Sequence, residues 1–452
     1  MRLRKTITTI VATAILLAGW QLFAVIANQP ELIPSLPRLV RTLCEWLVSG
    51  SFYQSVGATI LRGVLGMSIS FVCAIGMAGL FARFEWVYEL FRPLLAIMRS
   101  IPVISFILLA LIFLNPESIP LMIAFLTMFP LLTENLTRGI LDLRPGLSIM
   151  ARQFHIKRSN VLFQIIYPQL KPFLYSGLAS AAGFGWRAII MGEVLSQCAF
   201  GIGSEMKRAQ NFIAVPELLA WTIVAVFISF FFDKGISKVA DITPKISFAN
   251  EDQTIPTPTL SVLDTKDISY QYGIQHFSHS FQKGIIYGIS APSGKGKTTL
   301  LNLIGGILLP TKGEIHPTRH FGIATIFQQP QLLPYLTAEE NIILPLSSFL
   351  TEEKARRIAQ KHLQEMEMEP FGNRYPKELS YGQQQRIAIA RALAYPSPLL
   401  LMDEPFKGLD EALSHRIIER IREKQMKEER IILFTSHNPD EIRLLADEVI
   451  YL

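Results

Sequence analysis

The chain has 452 residues, 50% of them apolar and only 18% charged, and its mean hydropathy is +0.32. A chain this apolar is not a single soluble domain, and its length suggests two or three folding units. The net charge of +6 does not point to nucleic acid, because many Lys and Arg residues flank apolar runs, where they act as topology signals. The apolar excess lies in residues 1–235, and beyond about residue 260 the composition is that of an ordinary soluble domain. Of the three cysteines, Cys44, Cys73 and Cys198, none forms a metal-type pair, and the soluble half has none, as suits a reducing compartment. Free thiols are expected over a Cys44–Cys198 bridge.

Met1-Arg-Leu-Arg-Lys5 leads into an apolar run that ends at Ala27. A cleaved signal peptide is the rival reading, with Val25-Ile-Ala27 as its cleavage site. The run is longer than a signal core of about 7–15 residues and can span a bilayer, so a retained helix is expected. Five further spans are expected at 57–81, 94–114, 119–138, 173–198 and 213–233, which makes six. With the N-terminus inside, the inner segments carry Arg2, Arg4, Lys5, Arg83, Arg92, Arg144, Arg152, Lys157, Arg158, Lys171, Lys234 and Lys238. The outer ones carry Arg38, Arg41, Lys207 and Arg208. That bias places both termini in the cytoplasm of a multi-pass protein of the cell membrane.

Pro30-Glu-Leu-Ile-Pro-Ser-Leu-Pro37 is a break that leads to an amphipathic outer segment, and Ile101-Pro102 predicts a kink in the third span. The fifth span is rich in small residues (Gly177, Ala179, Ser180, Ala181, Ala182, Gly183, Gly185), which suit either bundle packing or a subunit or pathway face. Arg187 and Glu193 lie in the same span, six positions apart, so each is expected to meet a partner on another helix or to line a pathway. The longest inner loop, Gly139–Pro172, carries Ile149, Phe154, Ile156, Val161, Leu162 and Phe163 among its basic residues. A solvated loop has no use for these, whereas a short helix docking on another domain does. Residues 241–260, with Pro244, Pro256 and Pro258, predict a mobile connector without a core of its own.

The soluble half is organised around Ala291-Pro-Ser-Gly-Lys-Gly-Lys-Thr-Thr299, between an apolar strand (Gly284–Ser290) and a helix (Leu300–Ile304). Strand, Gly-rich turn and helix make a phosphate-binding loop. Backbone N–H groups around Ser293, Gly294 and Gly296 curl about phosphate, and the helix N-terminus adds its positive dipole end. Lys297 reaches the β- and γ-phosphates of ATP, the Thr298 hydroxyl holds Mg²⁺, and Thr299 completes the turn. Ala291 stands where this pattern usually opens with Gly. Downstream, Leu399-Leu-Leu-Met-Asp-Glu-Pro-Phe406 is an apolar strand ending in two acids, and His437 follows the strand Ile431–Ser436.

In order and spacing, these motifs resemble an ATP-binding cassette domain over residues 261–452. The resemblance implies a role for each position. Tyr272, with Tyr270 as the alternative, stacks on adenine. Gln328 touches Mg²⁺ and the attacking water, and Pro330-Gln-Leu-Leu-Pro-Tyr-Leu-Thr337 is the hinge that senses a permease loop. Leu379-Ser-Tyr-Gly-Gln383 corresponds to the family's Leu-Ser-Gly-Gly-Gln signature, whose Ser380, Gly382 and Gln383 approach ATP held by another subunit. Tyr381 replaces the first Gly there, which costs free energy if the site needs positive φ. Asp403 binds Mg²⁺ through water, Glu404 polarises the nucleophilic water, His437 contacts the γ-phosphate, and Asp410 lies in the loop that touches the partner subunit.

The membrane half resembles binding-protein-dependent import permeases. Their inner loop reads Glu-Ala-Ala, then Gly, then Ile-x-Leu-Pro. Here Ile149, His155 and Tyr167 replace the acid, the Gly and the Leu, while Ala151 and Pro168 remain. Pro34-Ser35, Ile101-Pro102, Trp186 and Glu193 resemble the nitrate/sulfonate/taurine branch. The fold expected is an all-α polytopic membrane domain with six transmembrane helices (1–240), a linker (241–260) and an α/β P-loop cassette (261–452).

The resemblance implies an ATP-driven importer working as a homodimer in the lipid bilayer. It implies a separate extracytoplasmic solute-binding protein and a small anion or a thiamine-pyrimidine-like precursor as cargo. A fused exporter half-transporter is the first rival, and the short inner connection between the second and third spans argues against it. A scaffold with a catalytically weak cassette is the second, and the presence of Lys297, Asp403, Glu404 and His437 argues against that.

Overall fold

The computed structural model describes residues 2–240, 244–253, 260–271, 273–292, 294–317 and 322–452. They form two compact units. One is Met1–Leu143 with Gln169–Thr243, and the other is Arg144–Pro168 with Pro244–Leu452.

The first unit is helical. Among the described residues four helices are long and apolar enough to cross a membrane: Gly50–Arg83, Pro116–Leu141, Arg158–Ser196 and Val215–Ala240. Glu85–Ser100 and Val103–Phe113 together qualify as a fifth span, bent by 95°. The described residues therefore support four or five spans of the expected six. The first apolar run, Val11–Ala27, is shorter than the other spans among the described residues. The expected kink at Ile101-Pro102 is a full break instead. Pro102 offers no N–H and crowds the residue before it, and Ile101 adopts extended angles of φ −70° and ψ 130°. The segment after the Pro-rich break forms the helix Leu36–Trp46, and its Trp46 ring stacks on Trp221 at 4.6 Å.

Helix Gly50–Arg83 buries Ser55, Thr59, Gly63, Gly66, Ser70, Ala74 and Ala78 at helical spacing. Small residues allow such close approach where lipid gives no hydrophobic drive. A Cβ on Gly66 would come within 2.6 Å of the Ala124 methyl. The small residues of helix Tyr167–Ser196 divide between two faces. Gly177 and Gly185 pack against Asn135 and Met128, whereas Gly183 has open space around it and Ala179 is exposed.

Glu193 finds its partners on helix Gly50–Arg83. Its carboxylate is fully buried and accepts hydrogen bonds from Thr59 Oγ1 at 2.9 Å and Arg62 Nη1 at 2.7 Å. The Gly203 N–H donates to it at 2.9 Å. Arg62 also reaches Glu117 at 2.5 Å. Arg187 is exposed and has no ion pair among the described residues.

In the second unit the strands are β1 (Val262–Tyr270), β2 (Ile274–Gln282), β3 (Ile286–Ser290), β4 (Lys312–His316), β5 (Ala324–Ile326), β6 (Leu399–Asp403), β7 (Ile431–Thr435) and β8 (Glu448–Tyr451). A small antiparallel sheet has the order β2-β1-β4, and a parallel sheet has the order β5-β6-β7-β3-β8. β6 and β7 are buried at every residue, as continuous apolar runs should be when helices cover both faces of a parallel sheet.

Residues 144–168 pack into the same hydrophobic core as this sheet through Leu147, Met150, Ala151, Phe154, Ile156 and Ile165. The expected docking helix is Pro145–Gln153. It ends in a paired 6→1 and 5→2 turn, with Ile156 N bonding Ala151 O at 3.0 Å and His155 N bonding Arg152 O at 3.2 Å. That turn requires a left-handed residue at position 155, and His155 takes φ 46°. Phe154, with no exposed surface, meets the Tyr395 ring edge-on at 5.1 Å. The Arg391 guanidinium lies 5.4 Å over its face.

The connector differs from expectation. Residues 241–243 and 254–259 lie outside the described residues, but Pro244–Gln253 is hydrogen-bonded to the second unit, with Ala249 N bonding Ser347 O at 3.0 Å and Gln253 N bonding Phe349 O at 2.8 Å. Ile246 and Phe248 pack against the core.

Two stability effects follow. Phe154→Ala should destabilise the second unit by ~3–5 kcal/mol through the cavity it leaves, measured by chemical unfolding of the full chain in detergent. Arg62→Met should cost ~3–5 kcal/mol by leaving the buried Glu193 carboxylate without its cation. A variant melting like the parent would refute that pairing.

Candidate functional site

β3 runs into the loop 291–296, and the helix Lys297–Ile304 starts immediately after it. Gly294 and Gly296 take φ 82° and 92°, which side chains rarely adopt, so glycine suits both positions. Ala291 is not among the residues of positive φ, so its methyl group carries no backbone penalty. Ser293 and Tyr272 lie outside the described residues. Tyr270, the alternative to Tyr272, is half-buried against the core of the small sheet. Lys297 is 7% exposed, and its Nζ donates to the Ala291 carbonyl at 2.7 Å, which folds the ammonium back across the loop. Thr299 is half-buried on the same helix.

Sheet register brings the acids to this loop. β6 and β7 pair with Asp403 opposite Thr435. Asp403 Oδ1 accepts from Thr435 Oγ1 at 2.7 Å, and Oδ2 accepts from Thr298 Oγ1 at 2.9 Å. Burial pushes the Asp403 carboxyl up, against the pull of these two hydroxyls. A hydroxyl and a carboxylate side by side are hard oxygen donors of the kind Mg²⁺ takes, with nucleotide oxygens and waters filling the rest of its shell. Among the described residues no cluster of three acidic, His or Cys ligands is found.

Glu404 follows with φ 48°, an uncommon conformation for a residue other than glycine. Its N–H is held by Thr435 through the carbonyl at 3.2 Å and Oγ1 at 3.1 Å. The left-handed turn swings its carboxylate away from Asp403 toward three other groups. They are His437 Nε2 at 3.0 Å, Lys407 Nζ at 3.3 Å and Gln328 Nε2 at 3.4 Å. Partial burial opposes its charge, but Lys407, Gln328 and His437 outweigh that and hold its carboxyl below the usual range. The structure thus gathers Gln328, Glu404 and His437 into one group, with Thr298 and Asp403 in a second group beside it. Thr435, which serves both, and Lys407 were not singled out from sequence. The only signal for Thr435 was a polar residue closing an apolar strand.

The signature segment is organised by its own helix cap. Ser380 caps helix Tyr381–Ala394, accepting from Gln383 N at 3.3 Å, while the Gln383 side chain accepts from Ser380 N at 2.9 Å. No hydrogen bond joins Ser380, Gly382 or Gln383 to residues 291–299 among the described residues. Tyr381 is the first helical residue and is not at positive φ, so the expected backbone cost is absent. Its hydroxyl donates to the Gln328 carbonyl at 2.7 Å, and its ring fills the space beside Gly408. Asp410 caps the next helix, accepting from Leu413 N at 2.9 Å. At the far end of the signature helix, Arg391 donates to Gln331 O at 2.8 Å and Pro330 O at 2.9 Å. The hinge after Gln328 is thereby tied at one guanidinium to Phe154. Burial lowers Arg391 to about 9, still above neutral, so the guanidinium keeps its charge.

Residues 274–407 match the family described as ABC transporter, and residues 68–233 match the binding-protein-dependent transport system inner membrane component. An uncharacterised ABC transporter ATP-binding protein of Methanocaldococcus jannaschii, MJ0796, is 34% identical over 201 residues, which cover 40% of this chain and 85% of that protein. The thiamine import ATP-binding protein ThiQ of Yersinia pseudotuberculosis is 34% identical over 205 residues, covering 42% of this chain and 86% of that one. The Fe(3+) ions import ATP-binding protein FbpC of Rhizobium etli is 35% identical over 189 residues, covering 40% of this chain. The chain spans only about half the length of FbpC, 54%, and of the glucose import ATP-binding protein GlcV of Saccharolobus solfataricus, 52%. Among solved structures, a dimeric post-hydrolysis MJ0796 cassette bound to ADP and Pi aligns at 31% identity and a TM-score of 0.40, covering 42% of this chain and 94% of that one. The chain belongs to the ABC transporter family and carries, on one polypeptide, a permease domain of the binding-protein-dependent type and an ATP-binding cassette.

Proposed function

We propose that this protein is an ATP-driven importer half-transporter: a membrane domain (1–240), a connector (241–260) and a cassette (261–452) that works as a homodimer. The observation that carries this reading is the convergence of Thr298, Asp403, Gln328, Glu404 and His437 at the mouth of the phosphate loop, on a chain that also matches a permease family. ATP is the substrate. Lys297 would leave the Ala291 carbonyl for the β- and γ-phosphates. Bound by Thr298 and, through water, by Asp403, Mg²⁺ would offset charge on the phosphate oxygens.

Glu404, ionised at neutral pH, would accept a hydrogen bond from a water held also by Gln328 and so polarise it. The water oxygen attacks the γ-phosphorus, the bond to the β-bridging oxygen breaks, and the water proton leaves on the released phosphate. His437 holds the carboxylate in line and reaches the γ-phosphate. Ser380, Gly382 and Gln383 would act on the nucleotide of a second copy, as the resemblance to the cassette signature implies. Asp410 lies at the contact between copies. Closure of two such sites around ATP would pass from Gln328 through residues 330–331 and Arg391 to Phe154 and the loop 144–168.

Import, rather than export, is supported by the permease match and by the names of FbpC, GlcV and ThiQ as import ATP-binding proteins. Those names span iron, glucose and thiamine, so the cassette does not select a cargo. Pro34-Ser35, Ile101-Pro102, Trp186 and Glu193 support a small anion of the nitrate, sulfonate or taurine type, with a thiamine-pyrimidine-like precursor next. The site of action is the cell membrane, with both termini and the cassette in the cytoplasm and a solute-binding protein outside. Co-purification of that binding protein, with mass spectrometry of its bound ligand, identifies the cargo.

Glu404→Gln should hydrolyse ATP at least ~100-fold more slowly, as loss of general-base assistance implies, and should trap an ATP-dependent dimer visible by native mass spectrometry. A variant that stays monomeric with ATP sinks the homodimer reading. Lys407→Ala removes the strongest support for the Glu404 charge, so its carboxyl should titrate at higher pH. The acid limb of the ATPase pH profile should then move up, the variant losing rate at a pH where the parent is still active. An unmoved limb would show that another group sets it.

A further inference from the structure

Three stretches far apart in sequence meet at one side chain. Asn160 is 1% exposed. Its Oδ1 accepts from Ser247 N at 2.8 Å, and its Nδ2 donates to Ser247 O at 2.8 Å and to Ser347 Oγ at 2.8 Å. The amide side chain thus pairs with the connector backbone as a neighbouring strand would, while holding the cassette through a third bond. Around it, Gln164 Nε2 donates to Pro244 O at 3.1 Å and Lys157 N donates to Ser348 Oγ at 3.0 Å. The connector is fastened again at its far end, where Asp252 Oδ1 accepts from both the N–H and the hydroxyl of Thr351 at 2.9 Å.

A tether that supplied reach alone would be solvated and would leave its backbone to water. This one commits its N–H and C=O groups to partners in the loop and the cassette. Asn160 also stands where the docking segment turns into the long apolar helix, since residues 158–196 form one helical run.

We propose that Asn160 is a positioning residue: with the connector Pro244–Gln253 it forms a clasp that joins the inner loop to the cassette of the same chain, so that nucleotide-driven movement of the cassette is delivered to the start of the helix at residue 158. The proposal rests on the transport reading above for its purpose, but not for its structure. Its hydrogen bonds go to Ser247 and Ser347, and among the described residues none goes to the phosphate loop, so hydrolysis as such does not need it.

The test is hydrogen–deuterium exchange on the full chain in lipid nanodiscs, with and without ATP plus vanadate, alongside ATP hydrolysis. In the parent, residues 244–249 and 157–164 are protected, and nucleotide alters exchange in 158–166. In Asn160→Ala, protection of both segments falls about tenfold, equivalent to about 1.4 kcal/mol. The nucleotide response of 158–166 is lost, and the hydrolysis rate is unchanged. Asp252→Ala, on the exposed side of the clasp, should loosen 249–253 in the same sense and serves if Asn160→Ala does not fold. The proposal is overturned if 244–253 exchanges freely in the parent, or if Asn160→Ala keeps both the protection and the nucleotide response. A parent that binds but never hydrolyses ATP would instead defeat the transport reading and leave the clasp standing.

Discussion

The parallel pairing of β6 with β7 is the constraint on which the candidate site depends. It sets Asp403 opposite Thr435, and Thr435 then does two things at once. Its hydroxyl fixes one oxygen of Asp403, and its carbonyl and hydroxyl hold the N–H of Glu404 in a left-handed turn. Were the strand simply to continue, these two adjacent side chains would point to opposite faces of the sheet. The turn sends one toward Thr298 and the phosphate loop, and the other toward Gln328, Lys407 and His437. The difference in their environments follows. One carboxyl is raised by burial, while the other is held low by a cation and donors. Two like groups thereby occupy electrostatically distinct environments.

The same economy is visible between the site and the inner loop. Arg391 closes the signature helix, fastens the hinge at residues 330–331 and lies over Phe154. A buried guanidinium with its bonds directed at carbonyls is a rigid joint. Displacement of Gln328 cannot be absorbed locally when the next residues are held to a helix end and to an aromatic ring in a packed core.

Much of the cassette was legible in the sequence because its chemistry is local. A Gly-rich turn between strand and helix, and two acids at the end of an apolar strand, each declare a backbone geometry. What was not legible depends on pairing across the chain. Thr435 matters only through strand register, and Arg391 only because the inner loop returns beneath it. The composition of residues 244–253 suggested a free tether, whereas their backbone finds partners at Asn160, Ser347 and Phe349. Tyr381 looked like a misfit at a glycine position, yet it sits at a helical residue and turns its ring and hydroxyl to neighbours. In the membrane unit, hydropathy located the long helices but could not foresee that Pro102 divides one run into two helices at 95°.

His155 carries a wider lesson. The turn that ends helix Pro145–Gln153 asks for a backbone twist and not for a particular amino acid. Glycine satisfies it most cheaply, and a polar residue that tolerates that twist satisfies it as well. A pattern search that insists on glycine would pass over such loops, whereas one written in terms of dihedral angles would recover them.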